Sequence, residues 1–105
     1  MKAMRIIVMF DLPTGTPNEK KAYMLFRNFL IEDGYLMEQF SVYSKVCMGG
    51  TSAASARLRL KLNTPPFGSV TVFEMTEKQY ASREILVDSR EAPKLDIGTQ
   101  LTLEF

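Results

Sequence analysis

Arg5-Ile6-Ile7-Val8-Met9-Phe10-Asp11-Leu12-Pro13 is an apolar run that stops on a lone carboxylate and then on a proline. Apolar residues at nearly every position from Met4 to Phe10 predict a central strand, covered on both faces. Asp11 cannot stay unpaired inside such a layer, because removing a charged group from water is strongly unfavourable. It must surface, be hydrogen-bonded or hold a metal. Pro13 removes a backbone donor and Gly15 allows positive φ, so Leu12 to Pro17 reads as a loop with Asp11 at its base.

Beyond that loop, Thr16-Pro17-Asn18-Glu19 has the form of a helix start: Thr16 as N-cap, Pro17 at the first helical position, Glu19 closing a capping box. Ala22, Leu25, Phe26, Phe29 and Leu30 repeat at helical spacing, which predicts one apolar stripe packed on the sheet. The helix runs to about Asp33, and Gly34 suits a left-handed cap. Tyr35 to Val46 is expected as a second strand region. Phe40, Val42 and Val46 alternate with Gln39, Ser41, Tyr43 and Lys45, and a break near Glu38-Gln39 restores the phase. Thr51 or Ser52 then caps a helix through about Asn63. Its alanines outweigh the strand-like alternation of Arg57 to Leu62, and Ala54, Leu58 and Leu62 share a face.

A third strand is expected near Ser69 to Met75, a single helical turn at Thr76-Glu77-Lys78-Gln79, and a short fourth strand from Glu84 to Asp88. Ser89 to Gly98 is polar and reads as an arm. Gln100 to Phe105 reads as a terminal strand able to pair with a neighbouring subunit or partner. Strands separated by amphipathic helices predict an α+β, ferredoxin-like sandwich: an antiparallel sheet with two helices on one face, residues 1–88, followed by the arm and strand at 89–105.

A chain of 105 residues is one small domain, for which burial in a dimer would add stability. There is no apolar stretch of about 18 residues and no signal-peptide pattern, so a soluble cytoplasmic protein with no membrane partner is expected. Cys47 is the single cysteine, read as a small buried hydrophobe. The chain contains no histidine, which removes Ser-His-Asp and Cys-His catalysis and the usual zinc sites. Any chemistry must use carboxylates, hydroxyls, lysines or a metal. Gly49-Gly50 lacks the spacing and the lysine of a phosphate loop.

Asp11 has two readings, a hydrogen-bonded loop anchor or a metal and catalytic ligand. One carboxylate is little for Mg²⁺, but a two-fold axis near the strand end would place two copies of Asp11 face to face and make a two-carboxylate site. Lys20, Lys21, Arg27 and Lys45 are candidate phosphate contacts, and the alternative is a solvated basic face. The formal net charge of +1 decides nothing here, since a balanced total can hide a basic surface.

Met9-Phe10-Asp11-Leu12-Pro13, Lys21-Ala22-Tyr23, Phe26-Arg27-Asn28-Phe29-Leu30, Gly34-Tyr35, Gln39-Phe40-Ser41-Val42-Tyr43-Ser44 and Thr76-Glu77-Lys78-Gln79 stand in order from about Met4 to Asp88. In that order and spacing they resemble the CRISPR-associated protein two family, in the version found with the single large RNA-guided nuclease. The resemblance implies a ferredoxin-like homodimer that bridges two dimers of the CRISPR-associated integrase and helps insert captured DNA as new spacers. It also implies Asp11 as the position where members that are metal-dependent nucleases hold Mg²⁺ between protomers. Lys20, Lys21 and Lys45 fall where relatives contact the backbone of duplex DNA. Two functions follow as expectations: a scaffold that binds duplex DNA, or a Mg²⁺-dependent endonuclease acting on DNA or RNA through paired Asp11 residues.

Overall fold

The computed structural model describes residues 2–88. Seven elements follow in order: β1 (Ala3–Asp11), α1 (Pro17–Glu32), β2 (Leu36–Gln39), β3 (Val42–Met48), α2 (Gly50–Leu62), β4 (Ser69–Thr76) and α3 (Glu77–Ala81). The four strands form one antiparallel sheet in the order β2-β3-β1-β4. This is the ferredoxin-like arrangement, with β1 central between β3 and β4 as its apolar run predicts.

Side chains alternate across a strand, so β1 divides its residues between two faces. Ile6, Val8 and Phe10 point under the helices and are buried with Tyr43 and Cys47 of β3, Phe26 and Leu30 of α1, and Ala53, Ala56 and Leu60 of α2. The opposite face carries Arg5, Ile7, Met9 and Asp11, with Ser44 and Val46 beside them on β3 and Thr71 and Phe73 on β4. Among the described residues β1 is therefore covered fully on one face only, and Met9 stays 43% exposed.

Both predicted capping boxes are present. The Glu19 backbone N–H donates to Thr16 Oγ1 at 3.2 Å while Thr16 N–H donates to Glu19 Oε1 at 3.0 Å, satisfying two of the donors a helix start leaves unpaired. Thr76 and Gln79 do the same for α3. Gly34 adopts φ +97° just past α1, as its left-handed cap requires.

Five expectations need correction. Helix α2 begins at Gly50 with Gly49 in the N-cap position and no side-chain cap, so neither Thr51 nor Ser52 caps it. Tyr35 to Val46 is a hairpin: β2 and β3 pair with Gln39 opposite Val42, and Phe40-Ser41 makes the connection. That pair lacks the Gly or Asn that announces a two-residue turn, and Ser41 takes a positive φ of 61° without them. Glu84 to Asp88 is not a strand; the segment lines a cavity together with Met37 to Phe40 of β2 and its turn. Helix α2 buries Ala53, Ala56 and Leu60, whose small alanines let it settle close to the sheet, leaving Ala54, Leu58 and Leu62 outside. Leu25 is 61% exposed, because Phe26 and Leu30 already fill the space under α1. The arm and terminal strand at 89–105 lie outside the described residues.

Candidate functional site

Asp11 ends β1 on the open sheet face, directly across from Ser69 of β4. Its neighbours in sequence hold it there. The Phe10 ring meets Phe26 and Tyr23 edge-on at 5.2 and 6.2 Å and stacks on Tyr43 at 5.8 Å. The Phe10 N–H donates to the Ser41 carbonyl at 3.0 Å. On the other side Leu12 turns back into the core. Between these buried anchors the Asp11 side chain is exposed, and among the described residues it makes no side-chain hydrogen bond or ion pair. It surfaces, and it does not anchor the loop.

No three His, Cys, Asp or Glu side chains converge to hold a metal among the described residues. Asp11 and the cross-strand Ser69 offer only hard oxygen donors, the type Mg²⁺ takes alongside several retained waters. The donor set therefore fits Mg²⁺ as half of a two-carboxylate site, and a second copy of the chain would have to bring the other half.

The basic candidates separate. Lys20 and Lys21 are exposed early in α1, and Arg27 is half-buried further along it; none forms an ion pair among the described residues. Lys45 lies on the helix-covered face opposite Ile6, away from Asp11. Its Nζ donates to the Asp33 carbonyl and stands 3.3 Å from the Asp33 carboxylate, which also takes Arg59 Nε at 2.9 Å. Burial pushes the Asp33 carboxyl up, but the two cations outweigh it and hold the group below its usual value. Lys45 thus closes the end of α1. Arg57 is likewise engaged, with Glu74 at 2.7 Å.

At the far end of the open face from Asp11 is a polar cluster that the pattern of residues only hinted at. Arg5 makes a two-pronged contact with Glu77, at 2.9 and 2.6 Å, and donates to Ser44 Oγ at 3.1 Å. Ser44 is fully buried and donates to the Glu38 carboxylate, which also accepts from the Tyr80 hydroxyl at 2.5 Å. The Tyr80 ring lies between the Arg5 and Arg83 guanidinium carbons, 3.9 and 3.8 Å from its centroid. Burial alone would raise the Glu38 carboxyl; the hydrogen bonds from Ser44 and Tyr80 and the charges of Arg83 and Arg5 lower it instead. Glu77 is lowered chiefly by Arg5. The cluster pins α3 across the sheet, covering the Arg5 end and leaving the Asp11 end uncovered among the described residues. The available signals were an arginine inside an apolar strand and Glu38 breaking a strand's phase.

A family model described as CRISPR associated protein Cas2 matches residues 4–83 of the chain. Three relatives share the name CRISPR-associated endoribonuclease Cas2. The one from Streptococcus mutans serotype c is 49% identical over 78 residues, 74% of this chain and 72% of its own. That from Treponema denticola is 41% identical over 100 residues, 95% of this chain and 99% of its own. That from Acidovorax ebreus is 48% identical over 84 residues, covering 80% and 82%.

Proposed function

The chain belongs to the CRISPR associated protein Cas2 family, and from that premise we propose that it acts as a homodimeric, DNA-positioning subunit of the CRISPR spacer-acquisition complex. The observation that carries the dimer is the open half of the sheet. Ile7, Met9, Val42 and Phe73 share that surface, and Met9 and Phe73 remain 43% and 47% exposed beyond the part that α3 covers. An apolar sheet face of this kind is stabilised by a like surface laid against it. Isologous contact there is the arrangement that can bring the two Asp11 residues toward one axis. Bridging of integrase dimers rests on the family relation.

Lys20, Lys21 and Arg27 supply the backbone contacts to duplex DNA in this reading. Such contacts position the duplex without reading its sequence, and they displace counterions. Lys45 would have to exchange Asp33 for a phosphate and contributes less. The test is reconstitution with the integrase and duplex DNA. The protein should join the complex and tighten its hold on DNA. Failure to associate, or no gain in DNA retention, rejects the proposal.

The relatives' shared name favours a second reading, a phosphodiesterase acting on RNA; we propose further that it depends on Mg²⁺ and that DNA is an alternative substrate. A divalent cation bound there supplies Lewis-acid polarisation of a phosphate and a bound water of lowered pKa. The chain's own part is to hold each Asp11 carboxylate exposed on a stiff strand end and to leave that end of the sheet uncovered by α3. Cleavage by the parent in Mg²⁺, lost both in EDTA and in Asp11→Ala, is the expected result. Equal rates in all conditions end this reading.

A further inference from the structure

The connection from α2 into β4 ends on Gly68, which adopts φ +82°. A Cβ placed there would stand 2.6 Å from Leu12 Cδ2, 2.9 Å from the Asp11 carbonyl oxygen and 3.3 Å from Leu12 Cα. The Leu12 methyl could turn aside. The other two atoms belong to the backbone that carries the carboxylate, and neither yields unless the Asp11–Leu12 peptide moves. On the opposite flank, Ser41 is the non-glycine residue with positive φ among the described residues, and its carbonyl holds the Phe10 N–H at 3.0 Å. Left-handed residues therefore grip β1 immediately before and immediately after Asp11, one beside β3 and one beside β4. A non-glycine residue in the left-handed region, as Ser41 is, persists where its surroundings over-determine it, and such places concentrate at functional sites.

We propose that Gly68 is a positioning residue for the Asp11 carboxylate. Its missing side chain lets the loop before β4 press on the Asp11–Leu12 peptide and set the direction in which the carboxylate leaves the open face. The proposal rests on the reading of Asp11 as a divalent-cation ligand. Gly34 provides the control: its φ is similar at +97°, but a Cβ there would meet only the flexible end of the Lys45 side chain, at 3.6 and 3.7 Å.

The experiment compares the full-length parent with Gly68→Ala, Gly34→Ala and Asp11→Ala. Mn²⁺ serves as a paramagnetic probe for Mg²⁺, its binding followed by water proton relaxation, with thermal melts and amide NMR spectra alongside. Both glycine variants should melt lower, since both strain a left-handed residue. Gly68→Ala alone should shift the Asp11 and Leu12 amides and weaken Mn²⁺ binding roughly 10- to 100-fold, as loss of a group orienting a ligand does. Gly34→Ala should bind as the parent does, and Asp11→Ala should lose the site.

Parent-like Mn²⁺ affinity in Gly68→Ala, with the site lost in Asp11→Ala, overturns the positioning role and leaves the metal reading standing. Equal binding by Asp11→Ala and the parent overturns the metal reading and the positioning role together. A Gly68→Ala chain that stays unfolded even in stabilising sulfate, while Gly34→Ala folds, also overturns the proposal, by making Gly68 a requirement of the fold.

Discussion

Asp11 stands between Phe10 and Leu12, both buried, yet its own side chain reaches water without a partner among the described residues. Such a carboxylate does nothing for the fold that a methyl group could not do. Asp11→Ala should therefore change unfolding free energy by no more than about 0.5 kcal/mol, measured by denaturant titration. Tyr35 presents the opposite case: it is buried, its hydroxyl has no hydrogen-bond partner among the described residues, and burial pushes its pKa up to about 12. Removing an unsatisfied buried hydroxyl relieves its desolvation cost, so Tyr35→Phe should leave stability unchanged or raise it by roughly 1 kcal/mol. A clear loss of stability would show that the hydroxyl is satisfied in solution. The exposure of Asp11 was legible because a charge at the end of an apolar run has few physical options. Gly68 was not, because a glycine's close approach to another segment leaves no trace in the local pattern.

At the scale of elements, the short helix α3 is tied to the sheet by a connected set of polar contacts around the buried Tyr80. Arg5, Glu38, Ser44, Glu77 and Tyr80 form one connected set, so breaking a member strands its partners. Glu38→Gln removes the charge that Ser44 and Tyr80 bond to, and should cost roughly 1–3 kcal/mol at neutral pH. The pH dependence has a definite sign. Glu38 and Glu77 both titrate below their ordinary 4.5 in the folded chain, so they bind fewer protons folded than unfolded. Their stabilisation is complete above the unfolded value and is lost as pH falls through the lower folded values. Melting temperature should drop more steeply in the parent than in Glu38→Gln from about pH 5 to about pH 3. Parallel curves would mean that Glu38 is not held charged by this network. The starts of α1 and α3 were readable in advance because capping boxes are local chemistry: Thr16 with Glu19 and Thr76 with Gln79 satisfy backbone donors three residues away, whereas α2 starts behind Gly49 with no side-chain cap to announce it. The β2–β3 turn was not readable either, because Phe40-Ser41 is shaped by tertiary contacts, the Ser41 carbonyl being held by Phe10 of β1. The face of α2 that packs was also hidden, since Ala54 and Ala53 are equally good helix formers and only the sheet chooses between them.

At the scale of the molecule, the sheet divides its labour. One face is closed by α1 and α2; the other, among the described residues, is partly closed by α3 and open toward Asp11. On the proposed function, DNA contacts come from unpaired cations, so Lys20→Ala with Lys21→Ala should lower the slope of log affinity against log salt by about 2. Lys45→Ala should leave the slope nearly unchanged and instead lower stability, because Lys45 is bonded to Asp33. A slope that responds to Lys45 and not to the α1 pair would reverse that assignment. The α+β layering was legible because strand and helix periods differ and each leaves its mark on where apolar residues fall. What meets the open face was not, because a strand covered by its own helices and a strand covered by a second copy carry the same apolar run from Ile6 to Phe10.

Pairing of two chains through the open face is measured directly by sedimentation equilibrium of the parent and of Phe73→Glu. The parent should sediment at twice the 11.9 kDa of the chain, and Phe73→Glu, with a charge on the apolar sheet surface opposite Ile7, should sediment as a single chain. A parent that remains single, or a Phe73→Glu variant that remains paired, would contradict it.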